Sequence, residues 1–238
     1  EHARWVVEAL VHGDGVTGIV PGGFEAYARI LHPLADGQRW ADVAPMFLGP
    51  GDASYDWPYA DPLLAVEGNL GEEAVDALAD ALTPWAPDGC HFGLWDGWGW
   101  LHAGSSLVFV AVETDDGEDS ETVARAQAEA ERHHDEATRG VWSFVEPCPL
   151  TDDVGGGRPM LLFDGPIGAV RTIGYHLVDN APLSRQSPQW WWPPDRSWFV
   201  ATEIDYPWTY LAGPEALVGE VLAALPTEST RISPTARW

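Results

Sequence analysis

The stretch SWFVATEID, residues 197–205, decides the fold. Its aromatic and β-branched residues form a run too short for a helix, so it reads as a strand. TYLAG, residues 209–213, reads as a short continuation of it. PEALVGEVLAAL, residues 214–225, follows as a helix opened by Pro214 and ended before Pro226. Upstream, the proline-rich SPQWWWPPDR, residues 187–196, reads as loop. PMLLFDG, residues 159–165, is a predicted strand behind the glycines at 155–157, and PIGAVRTIGYHLV, residues 166–178, a short helix with Pro166 in its first turn.

Further back, CHFGLWDGWG, residues 90–99, is a predicted strand running into a turn at Asp96 and Gly97, and LVFVAVE, residues 107–113, is another. GEEAVDALADALTPW, residues 71–85, carries the clearest helix signal: Val75, Leu78, Ala79 and Leu82 make one apolar stripe, Glu72 and Glu73 suit the start, and Pro84 stops it. FEAYARILHP reads as a strand ending at Pro33. RWVVEALV, near the N-terminus, fits helix and strand equally. Residues 34–69 read as ordered loop and the tail after Thr227, residues 227–238, as surface chain without periodicity. Residues 114–140 read as an acidic, Ala-rich helical insertion, with Ser120 as its N-cap, that buries little.

These elements lack a regular βαβ rhythm. The expectation is a single α+β domain over residues 1–238. Strands at about 24–32, 90–96, 159–164 and 197–205 share a largely antiparallel central sheet, and helices 72–83 and 214–225 pack against it.

The chain has 238 residues and a formal charge of −25, and its 12 basic residues are all arginines. That balance repels nucleic acid and anionic membrane surfaces and favours a basic protein partner or plain solubility. No apolar run reaches the length of a membrane span, and a cytoplasmic setting is expected. Fourteen tryptophans exclude disorder over most of the chain, because each ring must find a core or a cleft. Cys90 and Cys148 form no CxxC pair and read as buried reduced thiols.

Recognisable chemistry is sparse. Gly13, Gly15 and Gly18 spell GxGxxG, but the following IVPGG cannot open the required helix, so a plain glycine turn is expected. Glu131 and His134 have the spacing of an ExxH metal pair without a second pair to complete it. HExxH, P-loop, GxSxG and EF-hand patterns are absent, and neither a cofactor nor a metal site is expected. The densest cluster lies between Gln189 and Tyr210. On a strand, Glu203 and Asp205 project from one face about 6.6 Å apart along the chain. With Trp191, Trp192 and Arg196, and with Asp96 in LWDGWGW, they are the candidate ligand-binding residues. Ring faces beside carboxylates suit a sugar or another polar small molecule. The competing reading is that the indoles pack the core, Arg196 pairs with an acid and Asp96-Gly97 makes a turn.

TGIVPGGFEAYARILHP, FGLWDGWG, PMLLFDGP, QSPQWWWPPDRSWFVATEID and TYLAG resemble an uncharacterised, mostly actinobacterial family of acidic, Trp-rich proteins. The resemblance spans nearly the whole chain and, as no activity is assigned to that family, carries no catalytic residue across. Two function classes follow from the residues. One is a non-catalytic acidic interaction protein, immunity-like or antitoxin-like, that binds a basic partner. The other is a carbohydrate or polar small-molecule binding protein or hydrolase built on the Trp and carboxylate cluster.

Overall fold

The computed structural model describes residues 3–10, 15–34, 65–102, 146–148, 160–176 and 182–236. The expected strand at 107–113, the insertion at 114–140, the Glu131–His134 pair and Gly13 lie outside the described residues.

An eight-stranded sheet organises the described chain. Its strands are β1 (Ala26–Leu31), β2 (Cys90–Trp95), β3 (Glu146–Cys148), β4 (Met160–Gly165), β7 (Trp190–Trp192), β8 (Phe199–Thr202), β9 (Trp208–Gly213) and β10 (Ser229–Ile232). β5 (Gly174–His176) and β6 (Leu183–Arg185) form a separate two-stranded ladder. Across the sheet the order is β10-β1-β9-β8-β7-β2-β4-β3, and every pairing is antiparallel. Among the described residues three α-helices accompany it: α1 (Arg4–Ala9), α2 (Glu72–Leu82) and α3 (Glu215–Ala224). The fold is α+β, and the four expected strands share one sheet.

Side chains alternate between two buried faces. On one, Ala28, Ile30, Phe92, Trp191, Val200 and Leu211 meet α2 and α3. The expected stripe of α2, Val75, Leu78, Ala79 and Leu82, is its buried face, and α3 adds Leu217, Val218 and Val221. On the other, Tyr27, Trp190, Trp192, Phe199, Trp208 and Tyr210 form an aromatic layer covered in part by Ala3 and Val6 of the N-terminal segment, with Trp5 against it. Both faces are apolar, so β8 and β9 are buried at every position.

Four expectations are corrected. Trp190–Trp192 is not loop but a strand in the middle of the sheet, because Pro188, Pro193 and Pro194 flank the three tryptophans without interrupting them. TYLAG does not continue β8; it belongs to β9, which runs back antiparallel after a turn in which the Tyr206 N–H donates to the Glu203 carbonyl at 3.2 Å. The 166–178 stretch splits into a 3-10 turn over Ile167–Thr172 and strand β5. The tail is not loose surface chain at 229–232, since β10 pairs with β1 in the register Tyr27 with Ile232. The ambiguous N-terminal run is helix α1.

Glycine within β2 matters to the aromatic layer. A Cβ on Gly93 would stand 3.2 Å from Trp190 Cβ and 3.5 Å from Leu162 Cδ2, so the bare position lets Trp190 lie across β2. Overpacking of this kind costs about 1–3 kcal/mol. Gly93→Val is therefore expected to lower unfolding stability by that amount in urea titrations, with Gly219→Ala, which meets nothing within 4 Å on helix α3, as the near-neutral or slightly stabilising control.

A buried polar strip ties the segment 65–71 to the sheet. His32, Thr202 and Thr209 are essentially without exposure, and so are Ser187 and Gln189. His32 Nδ1 lies 2.8 Å from the Val66 carbonyl, which can only accept, so Nδ1 carries the proton. Nε2 then accepts from the Thr209 hydroxyl at 2.9 Å, and Thr209 in turn contacts the Thr202 hydroxyl at 2.7 Å. Gln186 and Gln189 reach the Gly68 carbonyl, and Asn69 accepts from the Ser187 N–H at 3.0 Å.

Candidate functional site

The sequence-derived site residues do not converge. Trp191 and Trp192 are consecutive on β7 and so project to opposite faces of the sheet. Trp191 is 0% exposed in the helix-covered core, its Nε1 donating to the Pro188 carbonyl at 3.0 Å. Trp192 is 1% exposed, stacked on Phe199 at 5.8 Å and leaning on His91 at 5.2 Å. Neither ring offers a face to a sugar.

Arg196 sits in the β7–β8 turn, where its N–H donates to the Pro193 carbonyl and its φ of 58° is left-handed. Its guanidinium lies 5.0 Å from the Trp5 ring. That turn is at the Trp192 end of β7. Asp96 and Glu203 are at the other end, flanking Gln189, whose Oε1 accepts from the Trp95 N–H and whose carbonyl accepts from the Thr202 N–H. Asp205 is exposed in the turn with Glu203. The strand ends at Thr202, so Glu203 and Asp205 do not share a strand face. The structure brings Asp96 and Glu203 to one end of the sheet and leaves Trp191, Trp192 and Arg196 elsewhere.

A surface cleft of about 630 Å³ opens instead at the Trp192 end, lined by residues 83 and 86–91, by residues 164–167 and by Pro194. Its walls follow from the β2–β4 register, which pairs Cys90 with Gly165 and His91 with Asp164. Gly89 enters β2 with φ 92°, and a Cβ there would stand 3.1 Å from the Gly165 carbonyl, so only glycine brings these two strand ends together without strain. Pro87, Pro166 and Pro194 stiffen the rim.

His91 Nδ1 is hydrogen-bonded to Asp164 Oδ1, and the carboxylate itself stays 72% exposed. Asp88 on the rim is exposed too. Among the described residues that line the cleft, Asp88 and Asp164 carry negative charge and none is Arg or Lys. Ile167 and the prolines supply apolar wall.

Cys90 lines the same cleft but does not make a thiol nucleophile with His91. Neighbours on a strand face opposite ways, and Cys90 belongs to the helix-side core. Cys90 is 3% exposed, and burial pushes its thiol pKa up, with the negative charge of Asp164 adding to that against a hydrogen bond from Trp192 that lowers it. A thiolate is therefore disfavoured. Among the described residues no three His, Cys, Asp or Glu side chains gather as a metal site, and no helix is long and apolar enough to cross a membrane.

The class these observations define is an α+β protein with an antiparallel sheet buried on both faces and an acidic cleft at one end. No family model, curated protein or solved structure matches the chain.

The cleft had a sequence signal. Asp88-Gly89 and Asp164-Gly165 are two Asp-Gly steps, preceded by Pro87 and followed by Pro166 respectively, each at the end of a predicted strand. Pairing those strands antiparallel puts Gly165 opposite Cys90, one residue beyond Gly89.

Proposed function

We propose that this chain is a non-catalytic acidic interaction protein, of the immunity or antitoxin kind, whose cleft takes a cationic side chain of a basic partner. The observation that carries the reading is the charge of the cleft: two exposed carboxylates, Asp88 and Asp164, stand beside the apolar wall of Ile167 and the prolines, against which the stem of an Arg or Lys side chain can lie. The formal charge of −25 supports it, since such a field steers a basic partner and speeds encounter.

Among the described residues, four arginines are occupied by acids outside the cleft. Arg171 bridges Asp76 and Asp80, Arg185 reaches Asp76 and Glu72, Arg231 pairs with Glu215 and Arg4 with Glu8. These four do not compete for the cleft acids. The carbohydrate reading is the weaker one, because the two indoles it relied on are buried.

Stopped-flow association with a tetra-arginine peptide tests the proposal. The expected rate falls steeply with added salt, as screening shortens the reach of the field. Asp88→Asn with Asp164→Asn is expected to weaken affinity about tenfold, the worth of one or two lost charge-assisted contacts. Equal affinity in the double variant would reject the cleft as the contact.

A further inference from the structure

A buried cation lies on the aromatic face, away from the acidic cleft. Arg29 of β1 is 3% exposed and is paired across the ladder with Tyr210 of β9. Its guanidinium carbon stands 4.9 Å from the Trp208 ring centroid and 5.8 Å from that of Tyr210. Those two rings, two residues apart on β9, meet edge-on at 6.5 Å. Tyr206 stacks on Trp208 at 5.1 Å.

Among the described residues no carboxylate pairs with Arg29. Its Nε, the Trp208 Nε1 and the Tyr210 hydroxyl are all buried and make no hydrogen bond. Three donor groups thus gather in mutually contacting side chains, and the one acceptor among them, the Tyr210 oxygen, takes no aligned hydrogen bond from the other two. They are close enough to act on one another: burial raises the Tyr210 pKa, while the positive charge of Arg29 and the approach of the Trp208 and Arg29 N–H groups pull against it. None of these approaches is aligned as a hydrogen bond.

A guanidinium cannot shed its charge by deprotonation. Ring faces return only part of the hydration that a buried charge without a counterion has lost. Two or three converging donors around a fixed positive charge are what an oxyanion requires, and the Nε edge of a guanidinium matches two coplanar oxygens.

We infer that Arg29, Trp208 and Tyr210 form a receptor for a small oxyanion, a carboxylate or a phosphate group, held against the aromatic face of the sheet. In the order β1-β9-β8-β7-β2, Trp208 and Tyr210 are three strand steps from His91 and Arg29 is four, about 14 and 19 Å at the usual strand spacing, so the site is separate from the cleft. Leu31, paired with Trp208, and Tyr206 are partly exposed beside the cluster.

The test uses the full chain labelled with nitrogen-15. Each arginine side chain gives one Nε–H resonance, and that of Arg29 is assigned by its loss in Arg29→Lys and by its ring-current displacement. Sodium acetate and inorganic phosphate are titrated separately at constant ionic strength. The expected result is a saturable shift of the Arg29 signal with one of them, which identifies the carboxylate or the phosphate source, and a rise in melting temperature over sodium chloride at equal ionic strength.

Tyr210→Phe keeps the ring and removes one donor, and it should raise the dissociation constant about five- to tenfold. If Arg29→Lys does not fold, the melting-temperature comparison between wild type and Tyr210→Phe decides alone. No saturable response to either anion, or an identical response in Tyr210→Phe and Trp208→Phe, would overturn the inference.

Discussion

Lowering the pH from 7 to 4 is expected to cost the folded protein about 3 kcal/mol through His32 alone. Its imidazole is fully buried, and desolvation brings its pKa down to about 3, against a weaker opposing pull from the Val66 carbonyl. In the unfolded chain the same group titrates near 6.5. Between those values the unfolded state binds a proton that the folded state refuses. Stability therefore rises with pH across that window and is lost as the pH falls from about 6.5 towards 3.

Asp76 adds in the same direction at lower pH. Burial pushes its carboxyl up, but the Arg185 and Arg171 guanidiniums together overcome this and hold it below the ordinary value of 3.8. Its contribution is present above the unfolded pKa and disappears as the pH drops through the folded one. Guanidinium chloride unfolding at pH 7, 6, 5 and 4 checks the prediction. In His32→Gln the slope between pH 6.5 and 4 should largely flatten, even if the variant is less stable throughout. An unchanged slope in that variant would place the acid sensitivity elsewhere.

Trp191→Ala should be the most damaging of the tryptophan truncations on the helix side, at about 3–5 kcal/mol. The ring is fully buried beside Phe92, with which it makes a 6.4 Å tilted contact, and its removal also strands the Pro188 carbonyl that accepts its N–H. With total stabilities of about 5–15 kcal/mol, that loss consumes a large share of the fold. Differential scanning calorimetry should show a drop in melting temperature of well over 5 °C. A residue that lined a ligand cleft would behave the other way, with binding lost and stability nearly kept. That outcome would restore Trp191 as a contact residue.

Much of the fold was legible in local pattern. The stripe of α2 names its buried residues because helical period and amphipathic burial are the same fact. The short runs at 26–31, 90–95 and 199–202 read as strands because β-branched and aromatic residues are flanked by turn residues. What failed was pairing and punctuation. Prolines around Trp190–Trp192 look like breaks in a segment that they merely bound, and the four residues of β10 are too few and too exposed to show a period. A shared face for Glu203 and Asp205 requires β8 to run on through what is a turn, and Pro207, which restricts the residue before it, is the residue that marks that turn in the sequence.

The site was less legible for a different reason. Asp88, His91 and Asp164 are brought together only by the antiparallel pairing of β2 with β4, across some 70 residues of chain. Arg29 gave no signal at all, since a lone arginine in an alternating strand ordinarily faces solvent. Its burial follows from a second core on the face that an antiparallel sheet often leaves open.

The claim that the cleft receives a cationic side chain is tested most directly by amide chemical-shift mapping with N-acetyl-arginine amide at low salt. The expected result is a saturable set of shifts confined to residues 86–91 and 164–167 around the Asp88 and Asp164 carboxylates, absent with N-acetyl-norleucine amide. Shifts scattered over the acidic helix faces of α2 and α3, with none at Gly89, His91 or Gly165, would contradict it.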